Sequence, residues 1–139
     1  MRIVVSGAEG VDVQEATRLR EPLTGIAVGR ESEEMCLLAK FFNGFANSTR
    51  LSVLLLLAQQ GEMKVGDLVK ELDAPQPRVS DHLRCLSWCG YVQVRREGRN
   101  AYYSVADDRV LEMLELGEML LRDNLDHVES CGTTAKGEY

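Results

Sequence analysis

Four cysteines give this 139-residue chain its most reactive side chains. Cys85 and Cys89 stand four residues apart in a segment with helical periodicity, which would place their Cβ atoms about 5–6 Å apart on one helix face. Two sulfurs bound to one tetrahedral metal ion at ~2.3 Å are about 3.8 Å apart. A small convergence of the two side chains would therefore let both sulfurs bind the same ion.

A metal ion held by this pair needs at least one further ligand. Cys131 directly follows the last predicted helix and Cys36 lies on the first one, so both are candidates. His127, near the end of the last helix, is explained by its place against the helix dipole and stays open as a fourth ligand. Three sulfurs suit soft, large ions such as Cd(II), Pb(II) or As(III), and Zn(II) also accepts three cysteines.

The sequence shows no secretory signal, and its longest apolar run, Val53 to Ala58, is far too short to span a bilayer. These features predict a cytoplasmic protein with no membrane partner. Cysteines stay reduced in that compartment, so the thiols are available as metal ligands or as redox groups.

Hydrophobic periodicity predicts a mainly α-helical fold with one β-hairpin. The predicted helices begin at Glu33 and then cover Thr49–Gln60, Val65–Leu72, Pro77 to about Cys89, and about Asp107–Glu129. The predicted strands are Tyr91–Arg96 and Ala101–Val105, joined by a turn over Glu97–Asn100. Two helices joined by a short turn and followed by a hairpin make a winged helix-turn-helix, with the hairpin as the wing.

The predicted organisation is one domain with two flanking segments. Residues 31–131 form a winged helix-turn-helix domain for DNA binding and dimerisation. An N-terminal extension without clear periodicity precedes it over residues 1–30, and a tail follows over residues 132–139. The last helix carries more apolar surface than one small core needs, which predicts a homodimer through the first and last helices.

The charge distribution favours double-stranded DNA as a partner. The whole chain has a net charge of −6, but residues 76–105 contain five arginines and two acidic residues, a local net charge of +3. Such a basic island in an acidic chain binds phosphates locally while the rest of the surface is repelled.

The second helix of the motif would lie in the major groove. With Val79 and Leu83 directed inward, a step of about 100° per residue directs Ser80, Asp81 and Arg84 outward. Asp81 would need a cytosine amine, Arg84 or Arg78 as its partner. The complete predicted DNA-binding set, with three arginines of the wing, is Gln76, Arg78, Ser80, Asp81, Arg84, Arg95, Arg96 and Arg99.

Three stretches together resemble the ArsR/SmtB family of metal-responsive repressors. They read FFNGFANSTRLSVLLLLAQQG, VGDLVKELDAPQPRVSDHLRCLSWCGYV and VRREGRNAYYSV, and the resemblance covers about residues 33–131. It implies a dimeric repressor that binds a palindromic operator as apo-protein and dissociates when it binds metal.

CLSWC followed by one cysteine past the final helix resembles the CmtR-type cadmium and lead sensors of this family. This resemblance implies Cys85, Cys89 and Cys131 as ligands of Cd(II) or Pb(II), and we expect Cys131 to come from the other protomer. Cys36 has no counterpart in that pattern and is interpreted mainly as a core residue. His82 matches a histidine that is buried in the family, which favours packing over metal binding.

Two rival functions use the same thiols differently. A repressor of the same fold could use Cys85 and Cys89 as a redox or persulfide switch, although a disulfide between adjacent turns would distort the helix. A thiol enzyme would need an activated cysteine with a nearby base in a pocket. Since no C-x-x-C motif and no such histidine pairing occurs, the sequence predicts that the protein is not an enzyme.

Overall fold

The computed structural model describes residues 32–132. The predicted N-terminal extension over residues 1–30, and the predicted tail apart from residue 132, lie outside the described residues. The helices are α1 (Glu33–Asn43), α2 (Ser48–Gln60), α3 (Val65–Leu72), α4 (Gln76–Trp88), α5 (Asp108–Asp123) and α6 (Leu125–Ser130). The strands are β1 (Met63–Lys64), β2 (Val92–Glu97) and β3 (Asn100–Val105).

Polar caps and glycines fix the helix boundaries close to those predicted from the sequence. The Ser32 hydroxyl accepts a hydrogen bond from the Met35 amide at the start of α1, and Asn47 Oδ1 accepts one from the Arg50 amide at the start of α2. Gly61 ends α2 at a φ of 79°, a conformation that side chains disfavour.

The sheet has three strands in the order β1-β3-β2. The predicted hairpin is confirmed, since β2 and β3 pair antiparallel from Val92 opposite Val105 to Glu97 opposite Asn100. The short strand β1 was not predicted. It pairs with β3 through Met63 opposite Tyr103, and two residues are too few to show the period-two pattern that identifies a strand.

The prediction of a single last helix over about Asp107–Glu129 was wrong, because Asn124 divides it into α5 and α6. Asn124 has φ −122° and ψ 19°, outside the helical range. Its side-chain amide donates to the Leu120 carbonyl at 2.8 Å. This local hydrogen bond competes with the helical backbone pattern, which is why asparagine is poor in helix interiors.

The hydrophobic core lies between α2, α3, α4 and the sheet. Three residues of α4 that share one face, Val79, Leu83 and Leu86, are fully buried as the periodicity predicts. Other fully buried side chains are Val53, Leu54, Leu68 and Tyr91. Burial of a large aliphatic side chain contributes about 1.5–3 kcal/mol, so the α4 stripe alone fixes the helix firmly against the core.

The first and last helices leave large apolar side chains on the surface of the protomer. They are Leu37 and Phe42 on α1, Leu116, Met119, Leu120 and Leu121 on α5, and Leu125 and Val128 on α6. Among residues 32–132 no helix is long and apolar enough to cross a membrane.

Candidate metal centre and nucleic-acid interface

The turn between α3 and α4 presents α4 to a partner in the manner of a helix-turn-helix. Asp73 ends α3 in the left-handed conformation, and its amide donates to the Val69 and Lys70 carbonyls. Pro77 occupies the first turn of α4, where its missing N–H would have no helical acceptor. We refer to α4 as the recognition helix from here on.

Four of the five DNA-binding residues predicted on the recognition helix are exposed, namely Gln76, Arg78, Asp81 and Arg84, and Ser80 is half-buried. Arg84 Nη1 lies 3.2 Å from Asp81 Oδ1. Of the partners predicted for Asp81, Arg84 is therefore the one that forms an ion pair with it in the protein alone. Exposed pairs of this kind contribute only up to about 1 kcal/mol, so Arg84 can exchange the carboxylate for a phosphate or a base edge at little cost.

The three wing arginines have different surroundings. Arg95 Nη2 lies 2.7 Å from Glu62 Oε1 and its Nη1 lies 2.7 Å from Glu97 Oε2, while its guanidinium stacks 4.5 Å from the Tyr102 ring centre. The hydrogen bond from Arg95 lowers the pKa of the Glu62 carboxyl, so this pair stays charged. Arg95 thus ties the wing to the turn before β1. Arg96 and Arg99 are exposed and form no ion pair within residues 32–132.

Cys85 and Cys89 lie together on one flank of the recognition helix, both half-buried and both free thiols. Cys89 caps the helix, and its amide donates to the Cys85 carbonyl at 3.1 Å. Burial raises the pKa of the Cys89 thiol, and the neighbouring Cys85 raises it further. The positive charges of Arg50 and Lys40 act in the opposite direction. The Cys89 thiol is therefore protonated at neutral pH, and a bound metal ion would displace its proton.

Neither of the other two cysteines completes a metal-binding cluster with this pair within residues 32–132 of one protomer. Cys131 is exposed at the end of α6. The interpretation of Cys36 as mainly a core residue was wrong, because Cys36 is exposed on α1. Within the described part of one protomer no three His, Cys, Asp or Glu side chains form a cluster that could hold a metal ion. The structure brings two of the three predicted ligands together, and Cys131 as a ligand stays a prediction.

The two histidines differ in their environment. His82 is half-buried, and burial, followed by the charges of Arg50 and Arg78, lowers its pKa against the opposing effect of Asp81. A neutral, partly buried His82 agrees with the predicted packing role. His127 is exposed in the last turn of α6, as predicted for a solvated residue.

Two residues around the thiol pair escaped the sequence reasoning, Arg50 and Tyr91. Arg50 Nε donates to the Gly44 carbonyl at 2.7 Å and its Nη2 to the Asn43 carbonyl at 2.8 Å. The Tyr91 hydroxyl donates to the Phe41 carbonyl. The Tyr91 contact joins residues 50 positions apart, which only the tertiary fold brings together. The Arg50 contacts span the turn between α1 and α2, and no residue pattern indicates the geometry of that turn.

Similar proteins agree with this geometry. Residues 47–94 match the family described as bacterial regulatory protein, arsR family. A probable mercury resistance operon repressor of Streptomyces lividans is 41% identical over 100 residues, which cover 72% of this chain and 78% of that protein. The HTH-type transcriptional regulator CmtR of Mycobacterium bovis is 33% identical over 102 residues, which cover 73% of this chain and 86% of that protein.

A solved structure extends the likeness to the fold. The homodimeric winged helix-turn-helix DNA-binding domain of a possible ArsR-family regulator from Mycobacterium bovis superposes with a TM-score of 0.61 at 31% identity, over 73% of this chain and 95% of that one. The fold class is thus a winged helix-turn-helix. The chain belongs to the arsR family of bacterial regulatory proteins, which confirms the predicted family and the prediction that the protein is not an enzyme.

Proposed function

We propose that the protein is a homodimeric repressor that binds operator DNA in the metal-free state and releases it when Cys85, Cys89 and Cys131 bind a thiophilic metal ion. The observation that carries this proposal is the position of two free thiols, one turn apart, on the recognition helix itself. Residues that would bind the inducer and residues that would bind DNA then belong to one rigid element. Operator binding also favours the predicted cytoplasmic location.

The exposed apolar faces of α1, α5 and α6 support the homodimer. An apolar surface of this extent on a small protomer marks an interaction site. The similar domain from Mycobacterium bovis is homodimeric, which favours a second copy of this chain as the occupant. A two-fold axis would present two recognition helices to the DNA, so the operator should be an imperfect palindrome.

The donor set fits a thiophilic inducer. Two free thiols one turn apart on the recognition helix would provide two ligands of a sulfur site, and Cys131 from the partner protomer would complete three sulfurs. Cd(II) or Pb(II) is the inducer that the cysteine pattern favours, since CLSWC followed by Cys131 resembles the CmtR-type cadmium and lead sensors, and As(III) and Zn(II) are alternatives. The similarity to a probable mercury resistance repressor adds Hg(II) to the ions worth testing.

Release would follow from a difference between two states of the recognition helix. Cys131 would fasten the end of the partner's α6 to the flank of this helix, and the contact exists only when the site is complete. Such a differential contact is what allostery requires. Three thiols that lose their protons around a divalent ion also change the local charge by about −1, which weakens the attraction to phosphate as a smaller effect.

Titration of the reduced protein with Cd(II) tests the proposal. The operator duplex is first selected from a random-sequence pool by the metal-free protein. Wild type should develop ultraviolet sulfur-to-metal absorption at one ion per protomer and lose operator affinity in parallel. Trp88, the only tryptophan, is 81% exposed between the two cysteines in sequence and should report binding through its fluorescence.

Single substitutions separate the ligands in the same titration. Cys85→Ser and Cys131→Ser should still bind the operator but ignore Cd(II), while the matched control Cys36→Ser should respond like wild type. Normal responses in both ligand variants would overturn the site assignment. Operator release by peroxide without metal, reversed by dithiothreitol, would instead support the redox switch.

A further inference from the structure

Tyr91 connects the thiol pair to the first helix. It follows Cys89 by two residues and its side chain is fully buried. Its ring lies 4.8 Å from the Phe41 ring and 4.4 Å from the Phe45 ring, measured between centroids, and its hydroxyl donates to the Phe41 carbonyl. One side chain after the recognition helix therefore holds the last turn of α1 by both packing and hydrogen bonding.

The end of α1 receives side-chain hydrogen bonds from both Tyr91 and Arg50. The last carbonyls of a helix have no partner within the helix and need one elsewhere. The Phe41 carbonyl accepts from Tyr91 in addition to the Gly44 amide, which lies 3.0 Å away, and Arg50 donates to the Asn43 and Gly44 carbonyls. Gly44 is buried, and a Cβ there would collide with the Tyr91 ring, so the backbone of α1 approaches the ring as closely as packing allows.

The segment between Cys89 and Tyr91 is held by hydrogen bonds. The Gly90 amide donates to Ser87 at 3.1 Å and the Tyr91 amide donates to Leu86 at 3.0 Å, so the turn is fixed to the last turn of the recognition helix. The Tyr91 carbonyl in turn accepts from the Ala106 amide at 3.0 Å, just before α5. Tyr91 thus contacts α1 directly, and its backbone is hydrogen-bonded to Ala106, two residues before α5 begins.

We propose that Tyr91 is the positioning residue that transmits a change at Cys85 and Cys89 to α1 and α5, and thereby to the spacing of the two recognition helices in the dimer. This inference rests on the proposed function. A displacement of Cys89 moves a hydrogen-bonded turn rather than a slack loop, so the buried ring follows and carries the end of α1 with it. Packed cores switch between discrete arrangements, which lets a small shift reach the interface.

Tyr91→Phe tests the inference, because it keeps the ring and removes only the hydroxyl. The readout is the ratio of operator dissociation constants with and without Cd(II). We expect this ratio to fall about tenfold in Tyr91→Phe, within the usual span of coupling effects. Operator affinity without metal and Cd(II) affinity should stay within about threefold of wild type. Tyr103→Phe, which changes another tyrosine packed against the core, is the control and should keep the full ratio.

The outcomes separate the two proposals. If wild type releases the operator with Cd(II) and Tyr91→Phe shows the same ratio, Tyr91 only packs and this inference is wrong. If wild type itself ignores metal, the proposed function fails first. Hydrogen exchange of wild type over residues 41–47 gives a second measurement that needs no variant. Faster or slower exchange with Cd(II) supports the inference, and identical exchange overturns it.

Discussion

Arg95 and Arg99 carry the same charge on the same wing, but they have different surroundings. Arg95 is held by two carboxylates and the Tyr102 ring, whereas Arg99 lies exposed at the turn between the strands. Because the Arg95 guanidinium already donates hydrogen bonds to Glu62 and Glu97, it has fewer N–H groups left to donate to a phosphate. We therefore infer that Arg95 positions the wing and that Arg99 binds the DNA backbone.

The salt dependence of operator binding distinguishes these roles. Each phosphate contact contributes about one unit to the slope of log affinity against log salt. Arg99→Ala should weaken binding and lower the slope by about one. Arg95→Ala should weaken binding at every salt concentration without lowering the slope. Fluorescence anisotropy at four salt concentrations measures both, and an equal loss of slope in Arg95→Ala would show that Arg95 binds DNA directly.

Glu62→Ala tests whether Glu62 competes with DNA phosphate for Arg95 or helps Arg95 to hold the wing in place. Removal of a carboxylate near DNA strengthens binding if Glu62 merely competes with phosphate for Arg95. If Glu62 instead helps Arg95 to hold the wing, the substitution weakens binding, which is the result we expect.

Among the glycines of residues 32–132, Gly44 is the one at which packing is tightest. Gly44→Ala should destabilise the protein by about 1–3 kcal/mol, because the new Cβ meets the buried Tyr91 ring and the Phe41 carbonyl. Gly66→Ala in α3 is the control, since a Cβ there meets nothing within 4 Å. It should be neutral or slightly stabilising. Urea denaturation at one protomer concentration compares the two, and equal stabilities would contradict the contact.

At the scale of elements, the sequence predicted those parts of the fold that periodicity and caps determine. Helices α1 to α4 and the hairpin follow from apolar spacing and from Asn47, Gly61 and Gly90. Strand β1 was missed because its partner, β3, is distant in the chain, and the break at Asn124 was missed because the apolar stripe continues through it. The spacing of Cys85 and Cys89 could be predicted from the sequence because both lie in one helical segment. The contact of Tyr91 with α1 could not be predicted, because it joins residues that are distant in the chain.

Helix α5 begins at a cap that depends on pH. The Asp107 carboxylate accepts hydrogen bonds from the side chain and from the backbone amide of Arg109. These hydrogen bonds, chiefly the one from the side chain, lower the pKa of Asp107 to about 2. The folded state therefore favours the charged carboxyl over the unfolded state, in which an aspartate titrates near about 4. This contribution to stability is present above pH about 4 and is lost as the pH falls towards 2.

Asp107→Asn should remove this pH dependence while keeping an oxygen acceptor for the cap. We expect wild type to exceed the variant in stability at pH 6 and to lose most of that advantage by about pH 2, where the folded-state carboxylate itself becomes protonated. Urea unfolding at both pH values measures the difference. A difference that stays constant between the two pH values would show that the carboxylate charge does not stabilise α5.

At the scale of the whole molecule, the apolar faces of α1, α5 and α6 decide whether the protein works as a dimer. Leu120 is 56% exposed on α5, and Leu120→Glu would place a charge in the proposed interface. The expected result is a monomer in sedimentation experiments with operator affinity reduced at least about tenfold. Val94→Glu, which changes a 42% exposed residue of the wing, should stay dimeric. A dimeric Leu120→Glu variant would contradict this interface.

Mixed dimers test most directly whether the inducer site spans two protomers. One protomer carries Cys85→Ser with Cys89→Ser and the other carries Cys131→Ser, so only one combination of the thiol pair with Cys131 survives, and it lies across the dimer. We expect such a mixed dimer to bind one Cd(II) with sulfur-to-metal absorption, while both parent homodimers bind none at that affinity. A mixed dimer without this absorption would contradict a site shared between the protomers, and a Cys131→Ser homodimer that binds Cd(II) like wild type would contradict Cys131 as a ligand.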